Sequence, residues 1–285
     1  MKPCGWMVAA LVSLGISAVR ADEPISPLWD DVLFPNQLRC ARLLDEARDL
    51  ARGSDPTHRA LAPLTKAERL CPKSFEAAAR LGAALFDAGQ LPAARRALER
   101  ARALAPAGED GDPRLAFRLG FVRATEGDFA GSLAEYRRAL AAGHLTSDDR
   151  QDRWLIKYDL GDSLMALGRL TEAIAAYRQA RAAAPAEPMI HFALAVALDR
   201  NEEREAARAE LAIYLRLDPE QRAFAGPDYV FVPAADVHYY RALLALGSGR
   251  LTGARAELTA FVAALPQGPY VARAREHLAE LPPPR

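Results

Sequence analysis

LGAALFDAG at residues 81–89 recurs on the same plan as LGFVRATEG at 119–127 and LGDSLMALG at 160–168. Each stretch places a second glycine seven residues after the first. Counting on from the first glycine, a small residue follows at plus twelve, a large residue at plus sixteen and an alanine at plus nineteen. This agreement predicts an internal repeat, and the spacing of its apolar residues is typical of helices.

The pattern continues towards the C-terminus. A fourth copy starts at Ala195, where Glu202 replaces the second glycine, and a fifth starts at Ala242. The order of small, large and proline positions resembles the tetratricopeptide repeat, a helix-turn-helix unit of about 34 residues. The resemblance implies an all-α fold, a right-handed superhelical solenoid of helix-turn-helix hairpins closed by a C-terminal capping helix.

The same resemblance divides the chain into parts. Five repeats are expected near 75–108, 113–146, 154–187, 188–221 and 235–268, in a solenoid that spans 75–281 and ends in a capping helix at 270–281. Residues 37–74 match the second helix of the repeat but not the first, so they are expected to form a divergent hairpin. An N-terminal extension at 22–36 precedes that hairpin.

Close helix packing explains why small residues recur. Where the two helices of a hairpin cross within about 8 to 10 Å, one helix must carry glycine or alanine and the other must fill the gap with a large residue. Gly82 with Leu98 is such a pair, and Gly89 is expected to end the first helix in a left-handed conformation. The small side of these contacts is predicted to consist of Gly82, Ala94, Gly120, Gly161, Ala173, Ala207 and Ala254.

The first 21 residues have the features of a secretory signal peptide. Lys2 precedes an uncharged run from Gly5 to Val19, and Val19 and Ala21 have the spacing that a signal peptidase reads. The apolar run is short for a membrane span, so no stable membrane insertion is expected once residues 1–21 have been removed. The expected location is therefore periplasmic or secreted.

Composition and motifs give no sign of nucleic-acid or cofactor chemistry. The chain has 37 basic and 37 acidic residues, so it lacks the basic excess that binding to phosphates requires. It also lacks a glycine-rich phosphate loop, and its histidines are not paired at metal spacing. His191 and His238 share the fourth position of their repeats and are expected to serve packing. No nucleic acid, metal or cofactor is expected.

The letters GDSL at 161–164 also name a family of serine esterases. A nucleophilic serine needs a neighbouring base, and that family supplies it from an Asp-x-x-His pair near the C-terminus. Here the Asp-x-x-His pair is Asp55 and His58, which precede the serine. Ser163 is therefore expected to be an unactivated hydroxyl on a first helix, and the chain is not expected to be an enzyme. An esterase remains a remote alternative.

Cys40 and Cys71 lie 31 residues apart, at the two ends of the divergent hairpin. An antiparallel hairpin brings its two ends together, and an oxidising compartment favours disulfides. A bond between these cysteines would stabilise the hairpin by roughly 3 to 4 kcal/mol. The alternative is a pair of buried thiols.

In the tetratricopeptide family the first helices line the concave face, and ligands contact recurring positions on them. In this chain those positions hold Phe86, Asp87, Phe117, Phe121, Leu155, Tyr158, Met165, Met189, Phe192, Val196, Tyr239 and Leu243. Few are charged, so the resemblance implies an apolar and aromatic groove for a peptide or helix of a protein partner. Alternatively, these side chains pack between adjacent first helices or are covered by the chain itself.

A thirteen-residue insertion at 222–234 separates the fourth and fifth repeats and contains the β-prone run DYVFVP. With Tyr229 and Phe231, this insertion is expected to form a lid over the solenoid, a contact with a partner or a plug between the two repeats. Together these features predict a non-catalytic interaction scaffold or adaptor of the cell envelope. The alternative is a structural subunit that forms a homo-oligomer through the groove or the insertion.

Overall fold

The computed structural model describes residues 35–51, 56–106, 112–141, 147–222 and 236–283, and within these ranges the chain forms thirteen α-helices and no strand. The helices are α1 (Pro35–Leu50), α2 (Pro56–Leu70), α3 (Phe75–Asp87), α4 (Leu91–Leu104), α5 (Pro113–Thr125), α6 (Phe129–Ala141), α7 (Ser147–Ala166), α8 (Leu170–Ala183), α9 (Pro188–Arg200), α10 (Arg204–Leu217), α11 (Asp236–Gly247), α12 (Leu251–Ala264) and α13 (Val271–Glu280). None of these helices combines the length and the apolar composition that crossing a bilayer requires.

The helices pair along the chain into six hairpins, and each hairpin packs on the next. The first helices α3, α5, α7 and α9 also contact one another in succession, whereas α13 follows the last hairpin alone. Because each hairpin touches mainly its neighbours, the molecule is a solenoid. The predicted all-α solenoid of helical hairpins with a terminal helix is confirmed.

Glycines close the hairpin turns in a left-handed backbone conformation. Gly89, Gly127, Gly168 and Gly249 have φ angles of 70°, 83°, 71° and 69°. An added Cβ at any of them would contact nothing within 4 Å, so the need for glycine comes from the backbone and not from crowding. In the fourth repeat the equivalent Glu202 has a φ of 64° without that freedom.

Glycines within the first helices serve a different purpose, because each receives a large side chain from the second helix. A Cβ on Gly82 would lie 2.7 Å from Cγ of Leu98, and one on Gly120 would lie 2.6 Å from Cε1 of Tyr136. Cβ atoms in proteins do not approach other atoms so closely, so any side chain at these glycines would have to displace the large residue that faces it. All seven small residues of the predicted packing pattern, Gly82, Ala94, Gly120, Gly161, Ala173, Ala207 and Ala254, are buried.

The solenoid closes more tightly towards its C-terminal half. Every residue of α9 from 190 to 200 is buried, whereas most first helices keep one face partly exposed. Phe192 of α9 packs on Tyr214 and Tyr240, with ring centroids 5.1 and 5.8 Å apart. The core around α9 therefore receives side chains from its own hairpin and from the next one.

The terminal helix α13 is held by charged groups of the fourth repeat as well as by α12. Arg273 donates to the buried carboxylate of Asp199 at 2.6 Å, and His277 lies 2.9 Å from the same carboxylate. Arg204 at the start of α10 pairs with Glu276 at 2.9 Å. The helix thus links the fourth repeat to the end of the solenoid.

Candidate binding surface on the first helices

The first helices α3, α5, α7, α9 and α11 form one side of the solenoid, here called the first-helix surface. It carries all twelve of the predicted groove residues. Most of the partly exposed residues lie in the N-terminal part of this surface, on α3, α5 and α7, and most of the buried ones in its C-terminal part, on α9 and α11. The exceptions are Met165 of α7, which is buried, and Met189 of α9, which is partly exposed.

The N-terminal part of this surface keeps large apolar side chains partly accessible. Phe86 of α3 packs edge-on against Phe121 of α5, with ring centroids 5.2 Å apart. The partly exposed predicted groove residues are Phe86, Phe117, Phe121, Leu155, Tyr158 and Met189, and Asp87 is exposed. This part can offer apolar and aromatic contacts to another molecule.

The C-terminal part differs from the expectation of an open groove. Met165, Phe192, Val196, Tyr239 and Leu243 are all at most 5% exposed. Tyr239 packs against Phe261 at 5.2 Å between ring centroids. These five residues belong to the core, because hairpins of the fourth and fifth repeats close over them. For them the structure agrees with the alternative that the side chains pack between helices.

Two aspartates on α7 lie beneath the surface where its two parts meet. Asp159 is 4% exposed, and its Oδ2 atom has no hydrogen-bond partner among the described residues. Asp162 is partly buried and accepts a hydrogen bond of 2.6 Å from the hydroxyl of Tyr177. Residues three apart on a helix share a face, so the two carboxylates are neighbours.

Tyr158 of α7 and tyrosines from other helices lie close to these carboxylates. The rings of Tyr158 and Tyr177 have centroids 5.8 Å apart. Burial raises the pKa of Tyr177, and the nearby Asp162, Tyr158 and Tyr240 raise it further. We call this group the acid–tyrosine cluster, and its members are Tyr136, Tyr158, Asp159, Asp162, Tyr177 and Tyr240.

The cluster holds its acids in an environment that disfavours negative charge. Burial raises the pKa of Asp159 well above its usual range, and the charge of Asp162 adds to the effect. Burial also raises the pKa of Asp162 to about 7, although the hydrogen bond from Tyr177 lowers it. The sequence prediction did not include these aspartates. The sequence does mark Asp162 as unusual, because the same repeat position holds Ala83, Phe121 and Val196 in other copies.

Ser163, next to Asp162, is placed unfavourably for catalysis. Its side chain is fully buried, and its hydroxyl lies 2.8 Å from the hydroxyl of Ser132. Ser132 in turn donates to the backbone carbonyl of Phe129 at 2.8 Å. A buried pair of hydroxyls between α6 and α7 offers neither a base nor access for an ester, so this geometry fits a packing role.

The two histidines that share a repeat position make equivalent contacts. Nδ1 of His191 lies 2.6 Å from a carboxylate oxygen of Glu210, and Nδ1 of His238 lies 2.7 Å from one of Glu257. In each pair the histidine is on the first helix and the glutamate on the second helix of one hairpin. These pairs join helices, and the described residues contain no group of three potential metal ligands.

A cleft of about 460 Å³ lies between α10, α11 and α13. Leu211, Leu215, Leu243 and Leu246 contribute to its apolar walls. The charged residues at its rim are largely engaged with one another, as in the pair of Arg204 with Glu280 at 2.5 Å. The cleft therefore has the size of a small-molecule site without free charges to orient a ligand.

Cys40 and Cys71 are both free thiols in the structure. Burial raises the pKa of Cys40 to about 12, and a hydrogen bond with Cys71 contributes, so the two thiols are neighbours. The proximity agrees with the predicted approach of the hairpin ends, and the disulfide itself stays a prediction. Other predictions lie outside the described residues, namely those for the signal peptide at 1–21 and for Tyr229 and Phe231 of the insertion.

The fold and its first-helix surface define a helical-repeat solenoid. Residues 158–222 and 222–269 match the family model of the tetratricopeptide repeat, so this part of the chain consists of tetratricopeptide repeats. No curated protein matches the chain significantly.

Solved structures of the same architecture cover most of the chain. PilF of Pseudomonas aeruginosa is 15% identical with a TM-score of 0.53, over 86% of this chain and 99% of that one. MamA of Desulfovibrio magneticus RS-1 is 19% identical with a TM-score of 0.54, over 64% of this chain and 97% of that one. MamA MSR-1 is 22% identical with a TM-score of 0.54, over 65% of this chain and 99% of that one. At these identities the likeness supports the fold alone.

Proposed function

We propose that the protein is a non-catalytic interaction scaffold or adaptor of the cell envelope that binds a peptide or helix of a protein partner on its first-helix surface. The observation that carries the proposal is the set of partly exposed apolar side chains on successive first helices α3, α5 and α7. Their burial by a partner would supply the free energy of binding. Tetratricopeptide repeats are used in this way, and the family match supports the same use here.

The proposed location rests on the sequence of residues 1–21. Export followed by removal of this segment would leave the solenoid in the periplasm or outside the cell. Residues 37–74 are proposed to be a divergent hairpin at the start of the solenoid, which is consistent with α1 packing on α2 and α2 packing on α3.

A selection of displayed random peptides on the full chain tests the binding proposal. Selected peptides should bind the wild type and lose about tenfold or more in affinity for Phe117→Ala and Tyr158→Ala, because both side chains lie partly exposed on the first-helix surface. Leu167→Ala is the matched control, since Leu167 is an equally apolar side chain that is 41% exposed at the turn after α7. Equal losses for Leu167→Ala, or no peptide bound at all, would contradict the proposal.

Self-association through the same surface is the second candidate function, and it is favoured by the apolar character of the partly exposed residues. Sedimentation velocity of the full chain without a partner distinguishes the two. The adaptor should sediment as a monomer at all concentrations tested, whereas the structural subunit should form larger species as its concentration rises.

A further inference from the structure

The acid–tyrosine cluster contains carboxylates without a cation. Among the described residues, neither Asp159 nor Asp162 takes part in an ion pair, although both lie in a region of low exposure. The nearby Arg200 is already engaged, because it donates to Asp236 at 2.8 Å and its guanidinium lies 5.2 Å from the ring centroid of Tyr240. Carboxylates that are buried without a cation are costly unless they lose their charge or gain a partner.

A donor from another helix is also left without a partner at this place. Tyr136 of α6 is fully buried, and its hydroxyl has no hydrogen-bond partner in the described parts of the chain. Burial raises the pKa of Tyr136, and the charges of Asp159 and Asp162 raise it further, so this hydroxyl lies near both carboxylates. An unsatisfied acceptor on α7 and an unsatisfied donor on α6 therefore lie in the same region of the core.

The groups between this region and the solvent suit a cation on a long apolar stem. Asp162 and Tyr158 are partly exposed, whereas Asp159 and Tyr136 lie deeper. The faces of tyrosine rings attract cations, and a ring pair such as Tyr158 and Tyr177 can contact the methylenes of a lysine or arginine side chain. An anion would meet two carboxylates, and an apolar group would leave them unpaired.

We propose that the acid–tyrosine cluster binds a cationic side chain, lysine or arginine, of the partner. This inference rests on the proposed function, because it adds a charged anchor to the binding on the first-helix surface. The head group lies between Asp159 and Asp162 and donates to the free Oδ2 atom of Asp159. The hydroxyl of Tyr136 then donates to a carboxylate that the cation has drawn into position.

Titration of the full chain with n-butylammonium at pH 8, followed by the ring signals of tyrosine in NMR spectra, tests the site without a known partner. The expected result is at least about tenfold tighter binding of n-butylammonium than of 1-butanol. The double variant Asp159→Asn/Asp162→Asn should lose at least about tenfold in affinity for the ammonium ion and keep its affinity for the alcohol. Glu205→Gln, which changes an exposed acid on the second helix α10, is the control and should bind as the wild type does.

Equal affinities for the ion and the alcohol, or unchanged ammonium binding by the double variant, would overturn the inference. If circular dichroism shows that the double variant does not fold, Asp162→Asn alone replaces it, because its amide oxygen can still accept from Tyr177. The peptide selection separates this inference from the function. Peptides that bind without lysine or arginine, and equally well to the double variant, would refute the cation site and leave the scaffold intact.

Discussion

Replacing Gly161 by leucine tests the helix packing that sets the repeat. A Cβ at this position would lie 2.7 Å from Cδ1 of Tyr177, about 1 Å inside an ordinary contact between carbon atoms. Tyr177 has little room to turn, because it is 1% exposed and its hydroxyl donates to Asp162. Overpacking of this kind costs up to about 3 kcal/mol, and leucine's better helix propensity returns just under 1 kcal/mol. The free energy of unfolding should therefore fall by up to about 2 kcal/mol.

Gly253→Leu is the matched control for this substitution. Gly253 also lies inside a helix, α12, but a Cβ there would meet a single atom, Cβ of Ala245, at 4.0 Å. The control should leave stability unchanged or raise it by up to about 1 kcal/mol through helix propensity. Urea unfolding followed by circular dichroism measures both variants. Equal changes in the two would refute the claim that contact with Tyr177 requires glycine at 161.

Three further predictions follow from single features of the structure. Glu202→Gly should raise the free energy of unfolding by about 1 kcal/mol, because Glu202 holds a φ of 64° that glycine adopts without strain. Gly168→Ala, at the equivalent turn, should lower the free energy of unfolding by a similar amount. Unchanged melting curves for both variants would argue against backbone strain. Oxidation of Cys40 and Cys71 by glutathione disulfide should yield one bond and roughly 3 to 4 kcal/mol of stability that reductant removes; labelling of both thiols in the oxidised native protein would contradict this. The pKa of Asp162 is raised to about 7, so the folded protein favours the protonated carboxyl. The wild type should therefore lose stability relative to Asp159→Asn/Asp162→Asn as the pH rises from about 4 to 7. A stability difference that is independent of pH would contradict the raised pKa of the buried acids.

The helical hairpins could be predicted because their determinants are local. A left-handed glycine such as Gly89, and a close contact such as Gly82 with Leu98, involve residues of one hairpin only. Their spacing along the chain therefore carries the information. The same holds for the pairs of His191 with Glu210 and His238 with Glu257, which repeat at the same separation in two hairpins.

The binding surface was harder to predict because its exposure depends on how successive hairpins close on one another. Repeat position identifies the face on which Phe192 and Tyr239 lie, but burial of that face depends on neighbours such as Tyr240 and Phe261. The acid–tyrosine cluster likewise depends on contacts between hairpins that are distant in the sequence. Its Tyr240 comes from α11, two hairpins beyond the aspartates of α7, and still influences Tyr177.

The central claim is that the first helices, and not the second helices, receive the partner. Site-specific photocrosslinking in living cells tests it, with p-benzoylphenylalanine placed at Phe117 on α5 or at Arg137 on α6, where the side chain is exposed. We predict a crosslinked product from position 117 that is suppressed by an excess of a selected peptide, and no such product from position 137. Crosslinks from position 137 alone, or of equal yield from both positions and insensitive to the peptide, would contradict the account.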